Sequence, residues 1–185
     1  MNATHRFATS LALALGALTL APAAEAKLTH SGSAQVRFLA TGPAGLKIEG
    51  KDDKLAVAEE GEGFKITVPL AGLQTGISLR DKHMRDKYLE VGKFPNAELV
   101  VAKSEVKLPT GGESKGQAKG TFTLHGVSKA IVVEYTMSGK DGAYKITGTF
   151  RTNFNDHGIE VPSYLGVTVK PDVEVTVGFE TADQP

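Results

Sequence analysis

The chain has 185 residues, 41% of them hydrophobic, and its 21 Lys and Arg balance 21 Asp and Glu, so the formal net charge is zero. That composition is globular and fits one ordinary domain, while interspersed acids and bases exclude an electrostatic nucleic-acid binder, which needs a basic patch. The chain has no Cys, which removes disulfides, thiolate metal sites and a Cys nucleophile together.

Residues 1–6 carry His5 and Arg6, residues 7–20 are almost entirely Ala, Leu and small residues, and Ala24-Glu25-Ala26 precedes Lys27. A positive start, a short apolar centre and a small-residue end, in that order, predict a Sec-type signal peptide over 1–26. The body over 27–185 is then expected to be a single domain, periplasmic or secreted. No later stretch approaches the roughly 20 apolar residues of a spanning helix, so that body is expected to be soluble.

From Ala34 the apolar residues alternate. Ala34, Val36, Phe38 and Ala40 point one way, with Gln35, Arg37 and Thr41 among those pointing the other, which is the period of a half-buried strand. The pattern returns at Leu46 and Ile48, at Leu55 and Val57, and at Phe64, Ile66, Val68 and Leu70 after a turn at Gly61-Glu62-Gly63. Over 79–89 the period changes: Leu79, Met84 and Tyr88 or Leu89 approach helical spacing among charged residues, and one short helix is predicted, ending before Gly92 and Pro95. Alternation resumes at Ala97, Leu99 and Val101, and residues 109–119 read as a Gly-rich hairpin tip. Further runs follow at Phe122 and Leu124, at Ile131 to Met137, at Tyr144 to Phe150 and at Val173 to Phe179.

About eight short strands with one helix between the fourth and fifth, and no βα alternation, leave a sandwich or a closed barrel. The strand number favours an eight-stranded antiparallel barrel, all-β, whose interior is either just filled by side chains or wide enough for one small ligand. Pattern alone leaves both interiors open.

The segment Leu73-Gln74-Thr75-Gly76-Ile77-Ser78-Leu79-Arg80-Asp81-Lys82-His83-Met84, followed by Tyr88-Leu89 and Lys93-Phe94-Pro95-Asn96-Ala97, resembles the signature of the YceI family. Gly120-Thr121-Phe122-Thr123-Leu124-His125-Gly126-Val127-Ser128-Lys129 is similar to its second signature. The run Asn155-Asp156-His157-Gly158-Ile159, with Pro162-Ser163, Gly166 and Val173 to Val177, is similar to the ending of many secreted members. Met84 stands where Leu is usual, a volume-conserving exchange. The resemblance implies a lipocalin-like barrel, with a helix at one end, enclosing an apolar ligand. The ligand class it implies is a polyisoprenoid, such as an isoprenoid quinone or prenyl phosphate, or a fatty-acyl or amide molecule.

Within that expectation the lumen candidates are Phe38, Ile66, Phe122, Tyr135, Ile146, Phe150 and Val175, and the mouth candidates are Thr75, Arg80 and His83. Arg80 and His83 lie three apart and share a helix face. Arg grips phosphate oxygens in bidentate fashion and His donates to a carbonyl or phosphate. The competing reading is that Arg80, Asp81 and His83 simply pin the helix to the barrel.

Other chemistry is thin. The His residues are scattered singly, with no His-x-x-x-His or Glu-x-x-His pair, and there is no Gly-x-Ser-x-Gly elbow and no phosphate-binding Gly-rich loop. No catalytic residue, metal or cofactor is therefore expected. A lipid carrier, monomeric or dimeric and docking transiently at a membrane or membrane protein, is set against a secreted stress-response or interaction module with a packed barrel.

Overall fold

The structure is a computed structural model describing residues 27–184 apart from 142 and 165, so the predicted leader lies outside the described residues. In chain order the strands are β1 (Lys27–Thr41), β2 (Lys47–Asp52), β3 (Ala56–Glu60), β4 (Gly63–Pro69), β5 (Asn96–Ala102), β6 (Glu113–Leu124), β7 (Val127–Lys140) and β8 (Ala143–Asn153). The two-residue strands β9 (Ser163–Tyr164) and β10 (Val167–Thr168) and the long β11 (Asp172–Gln184) complete the set. One helix, α1 (Ser78–His83), stands between β4 and β5.

Nine strands form one antiparallel sheet in the order β2-β1-β11-β8-β7-β6-β5-β4-β3, and β9 and β10 pair as a separate ribbon. The sheet curls until its two edge strands, β2 and β3, follow each other in the chain, and β3 packs against β1 across the seam. An open edge would expose a row of unpaired backbone groups. Here Lys51 N donates to Gln74 O (2.9 Å) and Gln74 N donates to Lys51 O (3.0 Å), so the loop after β4 covers part of the β2 edge. The main sheet has nine strands where about eight were expected, and the separate runs at Leu46 and Ile48 and at Leu55 and Val57 are β2 and β3. Between them Asp52 Oδ1 accepts from the backbone N–H of Asp53 (2.8 Å) and Lys54 (3.3 Å), a local turn that competes with the ladder.

Two further differences from the sequence reading have physical causes. Residues 113–119, expected in a hairpin tip, are the first half of β6, where Ser114, Gly116 and Ala118 alternate with exposed Glu113, Lys115 and Gln117. Their inward side chains are small because the Tyr135 ring lies over Gly116, where a Cβ would stand 2.8 Å from the phenol oxygen. Small residues carry little hydrophobic signal, so the strand was silent. The helix is also shorter than 79–89: after His83 it widens into one turn over Met84–Tyr88, closed by Leu89 N donating to Met84 O five residues back (2.9 Å).

The inward faces form one apolar core. Val36, Ile66, Val68, Leu99, Phe122, Val133, Tyr135, Met137, Phe150, Val177 and Phe179 are all buried in it, and Phe38, Ile146 and Val175 pack against it partly buried. The tight β6–β7 hairpin keeps this register, with His125 (φ 52°) and Gly126 (φ 74°) both left-handed, as a two-residue turn matching the strand twist requires.

Candidate functional site

Among the described residues, two cavities of the barrel interior stand out. The larger, about 490 Å³, lies at the end where α1 and the β9–β10 ribbon sit; the smaller, about 80 Å³, lies at the other end. Phe38, Phe122 and Val175 line the larger cavity together with Thr75, Arg80 and His83, so the structure brings three lumen candidates and all three mouth candidates to one place. Ile66, Tyr135 and Ile146 line the smaller one, and Phe150 lines neither.

The mouth is built from the loop after β4, α1 and the 154–170 segment. Thr75 N donates to Asp81 Oδ1 (2.7 Å), and the Thr75 hydroxyl donates to the same oxygen. Arg80 Nε in turn donates to Thr75 Oγ1 (2.6 Å) and its Nη2 to Thr75 O (2.7 Å), while Arg85 Nη1 donates to Leu73 O (3.3 Å). Two of the Arg80 nitrogens are therefore committed to holding the loop, which is the pinning role weighed against head-group recognition. The buried Asp81 carboxylate is the centre of this joint. Asp81→Ala, leaving both Thr75 donors without their acceptor, is expected to cost about 3 kcal/mol. Urea denaturation measures it, and a loss below about 1 kcal/mol would show that the joint is idle.

Across the mouth, the Tyr88 hydroxyl donates to Ser163 O and accepts from Ser163 N (3.2 Å each), clasping the end of the helical segment to the ribbon. Behind it, His125 Nε2 meets Glu90 Oε2 (2.9 Å) and Nδ1 meets the His157 carbonyl (3.2 Å). Both partners are acceptors, so the ring donates twice when protonated and ties the β6–β7 turn to the segment following α1. The Lys93 ammonium first, and His125 second, hold the Glu90 carboxyl below its usual range.

The residues that sequence reasoning missed form the rim. Leu46, Ile77, Leu79 and Val167 all line the larger cavity and are exposed, by 48%, 54%, 51% and 42% respectively. Phe154, Pro162 and Val169 from the 154–170 segment continue the wall inside. Leu46 and Leu79 carried a strand and a helix period that gave no hint of a rim, and Ile77 and Val167 stand in segments without period two, which pattern reading assigns to no face.

A curled antiparallel sheet around an apolar cavity, opening between a short helix and a two-stranded ribbon, defines a lipocalin-like barrel. Residues 23–181 match the model of the YceI-like domain, and the chain belongs to the YceI family. A UPF0312 protein of Pseudomonas savastanoi pv. phaseolicola is 38% identical over 125 residues, which is 63% of each chain, and one of Pseudomonas putida (strain W619) is 33% identical over 123 residues, 62% of each. The chain thus spans rather less than two thirds of the length of these curated relatives. A solved polyisoprenoid binding domain from Saccharophagus degradans, implicated in plant cell wall breakdown, superposes with a TM-score of 0.72 at 15% identity, covering 86% of this chain and 100% of that one. Burkholderia cenocepacia BcnA superposes with a TM-score of 0.62 at 14% identity, over 80% and 95%. At those identities the likeness is one of fold.

Proposed function

We propose that this protein is a periplasmic or secreted lipid-binding carrier that holds the apolar chain of a polyisoprenoid or fatty-acyl molecule in the larger cavity and performs no covalent chemistry. The observation that carries this reading is the apolar cavity of about 490 Å³ with an apolar, exposed rim. Each methylene moved from water into such a space gains about 0.8 kcal/mol, so a long chain is held without a specific polar contact. The head group then rests at the mouth beside Arg80 and His83, where the outer edge of the guanidinium and the imidazole offer donors to a quinone carbonyl or a phosphate. Exposed apolar patches of this kind suit transient contact with a membrane surface, from which a lipid could enter without crossing water. The YceI membership and the fold shared with a polyisoprenoid binding domain support the ligand class.

Native mass spectrometry of the protein purified from a periplasmic extract without detergent, followed by organic extraction, tests the proposal. A mature chain beginning at Lys27 and carrying an added mass that extracts as a prenyl or acyl lipid is the expected result. A bare chain that also refuses added ubiquinone, prenyl phosphate and fatty amide would overturn it in favour of a packed interaction module.

A further inference from the structure

On four strands the inward face passes from the small cavity's side to the large cavity across a residue that lines neither, whereas on β5 and β11 the two linings meet directly, at Leu99 and Ala97 and at Val177 and Val175. On β8, Gly148 faces the small cavity and Thr152 the large one, with Phe150 between them. On β6 the same step runs from Ala118 over Gly120 to Phe122. Val36 on β1 and Val68 on β4 hold the same place, and among these four residues Phe150 alone has a ring. It is buried, its ring meets Phe122 edge-on at 4.9 Å between centroids, and its register partner across the ladder is Val175 of the large cavity. These four residues are apolar, so on these strands only side-chain volume stands between the two spaces, the bulkiest being the Phe150 ring and the Phe122 ring in front of it.

We infer that the Phe122–Phe150 pair, Phe122 lining the ligand cavity and Phe150 packed behind it, is the floor of that cavity and sets the longest apolar chain the barrel accepts, the small cavity beyond being a compartment that a longer chain enters once Phe150 is removed and the Phe122 ring can give way. This rests on the lipid-binding reading. An aromatic edge-to-face pair keeps a fixed geometry, so the floor is a rigid stop rather than a yielding one. Chain length, on this view, is selected by depth and not by any contact at the mouth.

The test is binding of a homologous series of straight-chain saturated fatty acids to the mature protein and to Phe150→Ala. In the wild type, affinity should rise about fourfold per added methylene and then level off once the chain meets the floor. In Phe150→Ala the levelling point should move to longer chains, so that acids two methylenes past the wild-type limit bind the variant about tenfold more tightly than the wild type. Should Phe150→Ala lose its cooperative unfolding transition, Phe150→Leu keeps an apolar side chain there and should show a smaller shift in the same direction. A levelling point unchanged in a folded variant overturns the floor while leaving the carrier standing. A wild type that takes up no member of this series and no member of a matching series of prenyl phosphates overturns the carrier reading, and the floor with it.

Discussion

Replacing Val175 by Trp should empty the barrel of ligand while leaving it folded. Val175 sits on β11 opposite Phe38 of β1 and Phe150 of β8, and its side chain is only partly buried because it borders the larger cavity. An indole there grows into open space of about 490 Å³ rather than into packed neighbours. It occupies room that a ligand would otherwise fill with several methylenes, each worth about fourfold in affinity, so binding should weaken by roughly a hundredfold or more. Displacement of a fluorescent fatty acid measures the loss, and thermal unfolding measures the fold. The same exchange at Val133, which borders the cavity of about 80 Å³, has no such room. There the cost should appear as destabilisation of about 1–3 kcal/mol from overpacking. Full binding by a folded Val175→Trp protein would place the ligand outside this cavity.

His157→Ala should cost about 4 kcal/mol of stability, a drop of about 10 °C in the unfolding midpoint. His157 is fully buried, at 0% exposure. Its Nδ1 lies 3.0 Å from the Val127 carbonyl, which only accepts, so that nitrogen carries a proton and donates. Its Nε2 is hydrogen-bonded to the Thr152 hydroxyl (2.7 Å), and its ring makes a T-shaped contact with Phe122 at 5.4 Å. Alanine would leave the Val127 carbonyl and the Thr152 hydroxyl without this partner and open a hole where the fully buried ring stood, two penalties that add. His157 O also accepts from His125, so the turn at 154–157 and the β6–β7 turn loosen together. A loss below about 1 kcal/mol in urea denaturation would mean that water takes over both partners.

Much of the barrel was legible because sheet faces are written with period two. The inward sets on β1, β4, β5, β7, β8 and β11 follow directly from alternation at Val36, Ile66, Leu99, Val133, Gly148 and Val177, and the turns between them carry Gly or Asn chemistry with a local cause. The helix was placed between the right strands by its change of period. Where inward residues are small, as at Ser114, Gly116 and Ala118, the same rule fell silent, since alternation is seen only through hydrophobic contrast. The break between β2 and β3 shows in the separate runs at Leu46 and Ile48 and at Leu55 and Val57, but its local cause, the Asp52 side chain accepting from the backbone N–H of Asp53 and Lys54, is not written in any periodicity.

For the candidate site the division is sharper. Alternation says whether a side chain points in or out, and on that count Phe38, Ile66, Phe122, Tyr135, Ile146, Phe150 and Val175 form one uniform class. It cannot say how deep along the barrel axis each one lies, because depth is set by the tilt of the strands and the stagger of their ladders, which couple residues far apart in the chain. Only the tertiary structure therefore separated these seven into a large cavity, a small cavity and the wall between them. The rim was likewise decided in three dimensions, where Leu46, Ile77 with Leu79 of α1, and Val167 of β10 meet from three separate segments of the chain that share no pattern. Local chemistry along the chain determined a curled antiparallel sheet with an apolar inside; the stagger of its strands determined where that inside is empty.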